Sequence, residues 1–533
     1  MTLSLPATID QVDYLNWETY RPIYAELQTR PLSAETQRQW LEDWSYLTRF
    51  VREAFSYTYI QRTLDTSDPA REKAYLDMVS NLMPKGKIAD QALKERLLQL
   101  DLDDEDMQIM LRNLRAEVDL FAEANLPLET ELTKLTAEYD KQVGGFSAEW
   151  DGTTENLSQL AVHLSSNDRD ERQRVWQTIN TLWENARTDL NKIFDKMLAL
   201  RQQVAENAGY ANYRDYAFIL RGRFAYDAEA CFQFHDAISA AFVPAATRIL
   251  ERKRQALGFD TLKPWDYAPE MGKIIEGDSA EPLNPFSTED ELIHASLNIF
   301  NALDPDLGRY FATMADDGLL DLMTRQGKAA GGYCYGLPLR KKPFIFMNAV
   351  GSSRNMQTMF HEAGHAFHGF EAMASQPLIW MQRAPMEFNE VASMAMELLV
   401  APYLTKEKGG LFTSAEAARH RIGHLEKIIL FMPYMAVVDS FQHWLYTHID
   451  AAKDAATRDA KWDELWQRFM PQIDWQGYEQ IRSGGWHRKL HIFRYPFYYI
   501  EYGMAQIGAL QLWRNSLDDH AQALADYRHA LSL

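Results

Sequence analysis

The stretch Met359-Phe-His-Glu-Ala-Gly-His-Ala-Phe-His368 contains two histidines, His361 and His365, that are four residues apart. On a helix, this spacing places both side chains on the same face, one turn apart. Two neutral imidazoles at that spacing can hold one Zn²⁺ ion, and Glu362, directly after the first histidine, can reach a water molecule on the metal. The surrounding residues are mostly apolar, which is typical of a buried helix. The stretch therefore predicts a metal-binding helix.

The bulk composition is that of a globular protein that can bury a large core. The chain has 533 residues, of which 46% are hydrophobic and 24% are charged. Its formal net charge of −20 argues against a nucleic-acid-binding protein, because such proteins normally present a basic face. Cys231 and Cys334 are the only cysteines, so we expect neither a disulfide framework nor a thiolate zinc site.

The sequence shows no targeting or membrane signal. The start, Met1 to Asp10, lacks the basic and apolar regions of a signal peptide. No apolar run of about 18 residues or more follows, which is the length that a membrane span requires. We therefore expect a cytoplasmic protein with neither a membrane nor a nucleic acid as its partner.

Helical periodicity dominates the chain up to about residue 142. The segment Val143 to Gly152 then interrupts it and predicts a short hairpin or extended stretch, because it combines glycines with β-favouring residues. We therefore divide the chain into an N-terminal helical region, residues 1–142, and a catalytic region, residues 143–533, that carries the histidine motif.

A second interruption lies directly before the histidine motif. Glycines punctuate residues 327–336, and Pro343-Phe-Ile-Phe-Met-Asn348 reads as a strand. The glycines lack the Gly-Lys-Ser/Thr of a nucleotide-binding loop. A free strand edge here could bind an extended peptide, and a plain structural hairpin is the alternative. Ser352 or Ser353 then offers an N-cap for the helix of the motif.

A catalytic zinc site needs three protein ligands and one open position, so a neighbouring element must supply the third ligand. Glu371 stands where the metzincin motif has its last ligand, but that motif needs glycine where this chain has His368. Glu387 and Glu390 both lie in the first turns of the next predicted helix. The helix dipole suffices to explain Glu387. Glu390 shares an otherwise apolar face and needs a partner there, for which zinc is one candidate.

Two segments are distinctive when they are read together. They are His361-Glu-Ala-Gly-His-Ala-Phe-His368 and, after a gap, Phe388-Asn-Glu-Val-Ala-Ser-Met-Ala-Met-Glu397. Together they resemble the thimet oligopeptidase/oligoendopeptidase F family of zinc metallopeptidases, in its oligoendopeptidase F or Pz-peptidase-like branch. The resemblance implies that Glu390 is the third zinc ligand. Glu397 is a candidate acceptor for a hydrogen bond from a ligand imidazole.

A third segment extends the resemblance: Gly484-Gly-Trp-His-Arg-Lys-Leu-His-Ile-Phe-Arg-Tyr-Pro-Phe-Tyr-Tyr-Ile-Glu-Tyr502. It is similar to the family's stretch of one histidine followed by tyrosines, whose side chains face the scissile bond. By this resemblance, the catalytic side chains in this segment are His491, Tyr495, Tyr499 and Tyr502, with Tyr498 as a neighbouring possibility. Ordinary aromatic core packing is the alternative for any one of these tyrosines.

The resemblance also implies a fold and an activity. The fold would be mainly α, a large two-lobed helical body with a deep central channel and a small β-sheet beside the zinc helix, built on a thermolysin-like gluzincin core. The activity would be that of a metalloendopeptidase with one Zn²⁺ per chain. It would hydrolyse short peptides by means of a zinc-bound water activated by Glu362. A related zinc carboxypeptidase or dipeptidase and a non-catalytic peptide-binding protein are the alternatives.

Overall fold

The computed structural model describes residues 5–100, 102, 104–267, 282–329 and 331–533. Most of these residues are helical, which confirms the mainly α fold predicted from the sequence. None of the helices in the described ranges combines the length and the apolar character that a membrane span requires.

The α-helices are numbered here in chain order. The N-terminal half of the chain contains α1 (Arg21–Thr29), α2 (Gln37–Leu64), α3 (Pro69–Asp77), α4 (Met83–Leu98), α5 (Gln108–Leu120), α6 (Asn125–Gly144), α7 (Leu157–Val162), α8 (Arg169–Asn207), α9 (Tyr213–Leu220) and α10 (Ala228–Leu257). The C-terminal half contains α11 (Glu289–Leu303), α12 (Pro305–Asp316), α13 (Ser353–Ser375), α14 (Met386–Leu399), α15 (Ser414–Thr447), α16 (Ile449–Ala452), α17 (Ala455–Phe469), α18 (Glu479–Ser483), α19 (Leu490–Arg494), α20 (Tyr499–Asp518) and α21 (His520–Ser532).

Two small sheets interrupt the helices. In the first, β1 (Ser147–Trp150) and β2 (Thr153–Asn156) form an antiparallel hairpin, as predicted for this region. The second has the order β3-β5-β4, where β3 is Leu320–Met323, β4 is Tyr333–Leu337 and β5 is Lys342–Ala349. β5 contains the strand predicted before the histidine motif; it is parallel to β3 and antiparallel to β4. β4 is therefore an edge strand of the described sheet.

The chain forms two compact units, each built from separate segments. Unit 1 contains Met1–Phe121, Leu283–Ala417 and Met504–Leu533, and unit 2 contains Ala122–Pro282 and Ala418–Gly503. The division at residue 142, drawn from the sequence, concerns where the catalytic region begins and stays a prediction.

An aromatic core in unit 1 supports the segment that links α13 to α14. Trp40, Trp44 and Phe50 of α2 are completely buried, and the linking residues Ile379 and Trp380 pack into the same core. The rings of Trp44 and Trp380 lie 4.1 Å apart between centroids. Complete burial of a side chain such as Phe stabilises a fold by about 1.5–3 kcal/mol. The N-terminal helices thus hold in place the segment that leads into α14.

The helices α13 and α14 approach each other very closely at Gly364. A Cβ atom on Gly364 would lie 2.5 Å from the carbonyl oxygen of Ala392 and 2.6 Å from Cα of Ser393, so a larger residue would have to displace the backbone of α14. At its start, α13 is capped by the Ser352 side chain, which accepts a hydrogen bond from the backbone N–H of Asn355. Both features fix the position of the histidine motif.

Candidate metal centre and active site

Three side chains from two neighbouring helices converge in unit 1. His361 and His365 lie on one face of α13, and Glu390 lies in the second turn of α14. Glu390 Oε2 is 3.4 Å from His361 Nε2 and 3.6 Å from His365 Nε2, and the three ligand atoms all lie within 4.8 Å of one another. Ligand atoms around a tetrahedral zinc ion are about 3.3 Å apart, because each bond is about 2.0–2.1 Å long. The three side chains therefore fit a single zinc ion.

A further layer of hydrogen bonds orients these side chains. His361 Nδ1 lies 2.7 Å from Glu397 Oε1, and the amide of Gln357 donates a hydrogen bond to the other oxygen of Glu397. The hydroxyl of Ser393 lies 3.1 Å from Glu390 Oε2 and donates to it. A carboxylate on Nδ1 keeps the proton of a neutral imidazole on that atom, so Nε2 keeps its lone pair for a metal.

The electrostatic environment favours an ionised carboxylate within the cluster. Glu390 is only 5% exposed. Burial raises the pKa of its carboxyl group, but the charge of His365 and hydrogen bonds to both histidines outweigh burial and hold that pKa well below its usual value. For His361, burial lowers the pKa, yet hydrogen bonds to Glu390 and Glu397 raise it well above the ordinary value. The site thus attracts positive charge.

Glu362 lies beside the cluster in a different environment. It is 7% exposed, and burial raises the pKa of its carboxyl group. A Cβ atom on Gly332, directly before β4, would lie 3.8 Å from Glu362 Oε1. The thiol of Cys334 in β4 has a raised pKa, first because it is buried and second because of the charge of Glu362. Glu362 therefore faces the edge strand β4.

The other candidate residues of this region lie outside the cluster of His361, His365 and Glu390. Glu371 is buried and pairs with Arg528 of α21, with Oε1 2.8 Å from Nη2. The ring of His368 packs edge-to-face against that of Phe388, and burial lowers its pKa to about 4, which keeps it neutral at pH 7. Glu387 lies in the first turn of α14, where a carboxylate complements the helix dipole.

The histidine and tyrosines of the third segment lie together in unit 2. His491 is in α19, Tyr495 follows its last turn, and Tyr499 and Tyr502 lie in the first turn of α20. The ring of His491 is 4.9 Å from that of Tyr499 and 5.7 Å from that of Tyr502, between centroids. The ring of Tyr498 stacks against His491 at 6.3 Å. Tyr495 is 45% exposed, whereas Tyr499 is 6% exposed.

Two further residues, one in each unit, were not singled out from the sequence. Lys489 donates a hydrogen bond to the hydroxyl of Tyr499 at 3.0 Å, and burial lowers the pKa of its ammonium group to about 8. A lysine within an aromatic run is the only signal for this contact. Gly364 is the second; its signal is a glycine inside a predicted helix, which often marks a close approach of two backbones.

Known proteins resemble this chain in sequence and in fold. The profile of Peptidase family M3 matches residues 162–533. The solved structure of Pz peptidase A with an inhibitor is 27% identical, has a TM-score of 0.88, and the match covers 97% of this chain and 91% of that chain.

Curated relatives match over shorter stretches. An oligoendopeptidase F homolog of Borreliella burgdorferi is 23% identical over 297 residues, which are 54% of this chain and 46% of the relative. Oligopeptidase PepF of Bacillus subtilis is 31% identical over 102 residues, which are 18% of this chain and 15% of the relative. The chain thus spans less than half the length of these curated relatives. The family profile nevertheless covers well over half of the chain, and it confirms the family that the sequence resembles. The chain belongs to peptidase family M3.

Proposed function

We propose that the protein is a zinc-dependent endopeptidase that hydrolyses peptide bonds in short oligopeptides. The observation that carries the proposal is the convergence of His361 Nε2, His365 Nε2 and Glu390 Oε2, with Glu362 on the same helix. Family membership supports a metallopeptidase. The names of the relatives, an oligoendopeptidase and an oligopeptidase, favour short peptides as the substrate class.

The metal would be held by His361, His365 and Glu390. Two imidazoles and one carboxylate are a donor set that suits Zn²⁺ and leaves one position for water or substrate. When bound, the ion would supply Lewis acidity and lower the pKa of a bound water toward about 7. Glu397 and Ser393 would keep the ligand side chains oriented through the hydrogen bonds described above.

Glu362 is the proposed general base and acid. Its carboxylate would accept a proton from the attacking water and then donate it to the amine that leaves. Positioned proton transfer of this kind contributes about 10²–10⁴-fold to a rate. The burial that raises the pKa of Glu362 also makes the carboxylate a stronger base.

His491, Tyr499 and Tyr502 are the proposed hydrogen-bond donors to the oxyanion, together with the more exposed Tyr495 as a substrate contact. Because Lys489 donates to the phenolic oxygen of Tyr499, the hydroxyl hydrogen of Tyr499 stays available for a substrate. The ammonium also draws electron density from that oxygen and strengthens the donor. Loss of one such donor in an active site costs about 2.7–4 kcal/mol of transition-state stabilisation.

The edge strand β4 is the proposed binding surface for the peptide backbone. An extended peptide can add to a free sheet edge through main-chain hydrogen bonds. Such bonds do not depend on the side chains, so peptides of different sequence can bind in the same way. The position of Glu362 supports this: a Cβ atom on Gly332, directly before β4, would lie 3.8 Å from its Oε1, so a peptide along β4 would bring its backbone near the general base.

A cleavage assay with Glu362→Gln tests the proposal. Wild-type protein should cleave an internally quenched peptide, and mass spectrometry should locate the cut at an internal bond. Glu362→Gln should retain the metal, because it keeps all three ligands, and should lose about 10²–10⁴-fold in rate. A Gln variant with wild-type activity would contradict the role of Glu362.

A peptide blocked at both ends separates the alternatives. An endopeptidase cuts such a peptide internally. A carboxypeptidase or dipeptidase would leave the blocked peptide intact and cleave only its unblocked form. A peptide-binding protein with an inactive site would bind both peptides and cleave neither.

A further inference from the structure

A second group of metal-ligating side chains is buried in unit 2. Cys231 and His235 are four residues apart on α10, and Asp439 and His443 are four residues apart on α15. This spacing places each pair on one face of its helix. The ligand atoms of Cys231, Asp439 and His443 all lie within 4.8 Å of one another. None of these three side chains is more than 2% exposed, so the group lies within the core.

His235 orients the carboxylate of Asp439 through a hydrogen bond. His235 Nε2 lies 3.0 Å from Asp439 Oδ2, and the hydroxyl of Ser440 lies 3.0 Å from His235 Nδ1. When Ser440 donates to Nδ1, the ring proton of His235 is on Nε2 and is donated to Asp439. Such an outer hydrogen bond orients the carboxylate and does not involve its other oxygen, Oδ1.

Two buried polar atoms of this group, Asp439 Oδ1 and His443 Nδ1, lack hydrogen-bond partners among the residues that the structure describes. His443 Nε2 faces Asp439 Oδ2 at 3.3 Å, so the imidazole and the carboxylate are close enough to bind the same ion. Buried polar atoms in proteins are almost always paired, with protein groups, water or an ion. Unsatisfied atoms beside a buried thiol indicate a partner that accepts lone pairs from oxygen, nitrogen and sulfur, which is a metal cation.

The charges of the neighbourhood are consistent with a divalent ion. The buried guanidinium of Arg223, which acts electrostatically on Asp439, is already paired with Glu501 at 2.5 Å. The carboxylate of Asp439 and a thiolate at Cys231 would together balance a charge of +2. A buried set of charges is tolerated when it is neutral and mutually coordinated.

We propose that Cys231, Asp439 and His443 form a second zinc site, which joins α10 to α15 and takes no part in catalysis. One thiolate, one imidazole and one carboxylate favour Zn²⁺ over the hard cations Mg²⁺ and Ca²⁺. Binding forms the sulfur–zinc bond and releases the thiol proton of Cys231 to solvent. The proposal reverses our expectation that two cysteines exclude a thiolate zinc site, because the partners of Cys231 come from a helix about 200 residues later.

Cobalt substitution tests the site with a readout that is independent of catalysis. The proposed catalytic ligands contain no sulfur, so a sulfur-to-cobalt charge-transfer band in the near ultraviolet reports the second site alone. The full chain is produced in cobalt-supplemented minimal medium, so that the buried site fills as the protein folds. Metal content is then measured by mass spectrometry after dialysis against metal-free buffer.

The expected result is two cobalt ions per wild-type chain and a sulfur-to-cobalt band. Cys231→Ser should lose the band and one ion, whereas the control Cys334→Ser should keep both. His365→Ala should keep the band, because it alters only the other site. A wild-type chain with one cobalt ion and no such band overturns the proposal, and this result does not depend on whether any variant folds. A band that survives Cys231→Ser overturns it as well.

Discussion

Glu397 is the residue on which the orientation of His361 depends, since its carboxylate lies 2.7 Å from the Nδ1 atom. We predict that Glu397→Ala lowers zinc affinity by about 10–100-fold, the usual effect of removing such an outer partner. Competition with a chromophoric chelator measures this affinity. Glu397→Gln should lose less, because an amide oxygen can still accept the hydrogen bond.

Glu387→Gln is the matched control on the same helix. It removes the same charge from the first turn of α14, where the side chain complements the dipole. If Glu387→Gln and Glu397→Ala weaken zinc binding equally, the effect comes from overall charge and the role assigned to Glu397 is wrong.

The sequence predicts contacts between residues of one helix better than contacts between residues of different elements. The spacing of His361 and His365 follows from one turn of helix, so a short motif reveals it. Among Glu371, Glu387 and Glu390, spacing alone left the third ligand open, because the choice depends on how α14 packs against α13. The meeting of the pairs Cys231/His235 and Asp439/His443 went unnoticed for the same reason, because it depends on how α10 packs against α15.

Among the contacts between secondary-structure elements, the close packing of α13 against α14 depends on Gly364. We predict that Gly364→Ala destabilises the fold by about 1–3 kcal/mol, the range for overpacking a core. A Cβ atom there would lie 2.5 Å from a backbone oxygen, so α14 must shift. Because α14 carries Glu390, zinc affinity should fall with stability. Denaturant unfolding and chelator competition measure the two effects.

Gly423→Ala is the control for this substitution. Gly423 lies within α15, and a Cβ atom at that position would meet nothing within 4 Å. Alanine there should stabilise the protein by about 0.4–1 kcal/mol, because it restricts the unfolded chain. If Gly364→Ala behaves like Gly423→Ala, the close approach of the two helices is not a constraint.

The docking of α21 depends on Arg528, which pairs with Glu371 of α13 and Asp306 of α12. We predict that Arg528→Met lowers the free energy of unfolding by about 1–3 kcal/mol, because it leaves the buried carboxylate of Glu371 without its cation. The Arg528 side chain is 26% exposed, so solvent screening reduces the effect relative to a fully buried pair. Urea unfolding provides the measurement.

A double-mutant cycle distinguishes the ion pair from simple loss of packing. Glu371→Gln in the Arg528→Met background should recover part of the lost stability, since the uncompensated charge is gone. Purely additive losses in the double variant would count against the pair.

At the scale of the whole molecule, metal removal should stop peptide cleavage. We predict that chelator-treated protein loses activity and that Zn²⁺ restores it. Mg²⁺ should not restore it, because this ion prefers oxygen ligands in octahedral geometry and the proposed site offers two imidazoles. The quenched-peptide assay measures both additions. Restoration by Mg²⁺ would show that the proposed ligand set is wrong.

The family and the mainly α fold were predictable from the sequence because both rest on local signals, namely short motifs and helical periodicity. The strand before the histidine motif and the hairpin after residue 146 were found in the same way. The sequence did not reveal which segments form each of the two units, because each unit joins segments that are distant in the chain. The two-lobed shape with a deep channel stays a prediction from the family resemblance.

The segmented build of unit 1 has a consequence for biosynthesis. The ribosome makes α13 and α14, with His361 and Glu390, well before it makes α21. The hydroxyl of Tyr527 donates to the backbone of α14 at Ala392, and Arg528 pairs with Glu371 of α13, so both helices gain these contacts only after α21 has been synthesised. A nascent chain would therefore lack a mature metal site. Delayed maturation of this kind would keep the proposed peptidase activity from appearing before α21 is made.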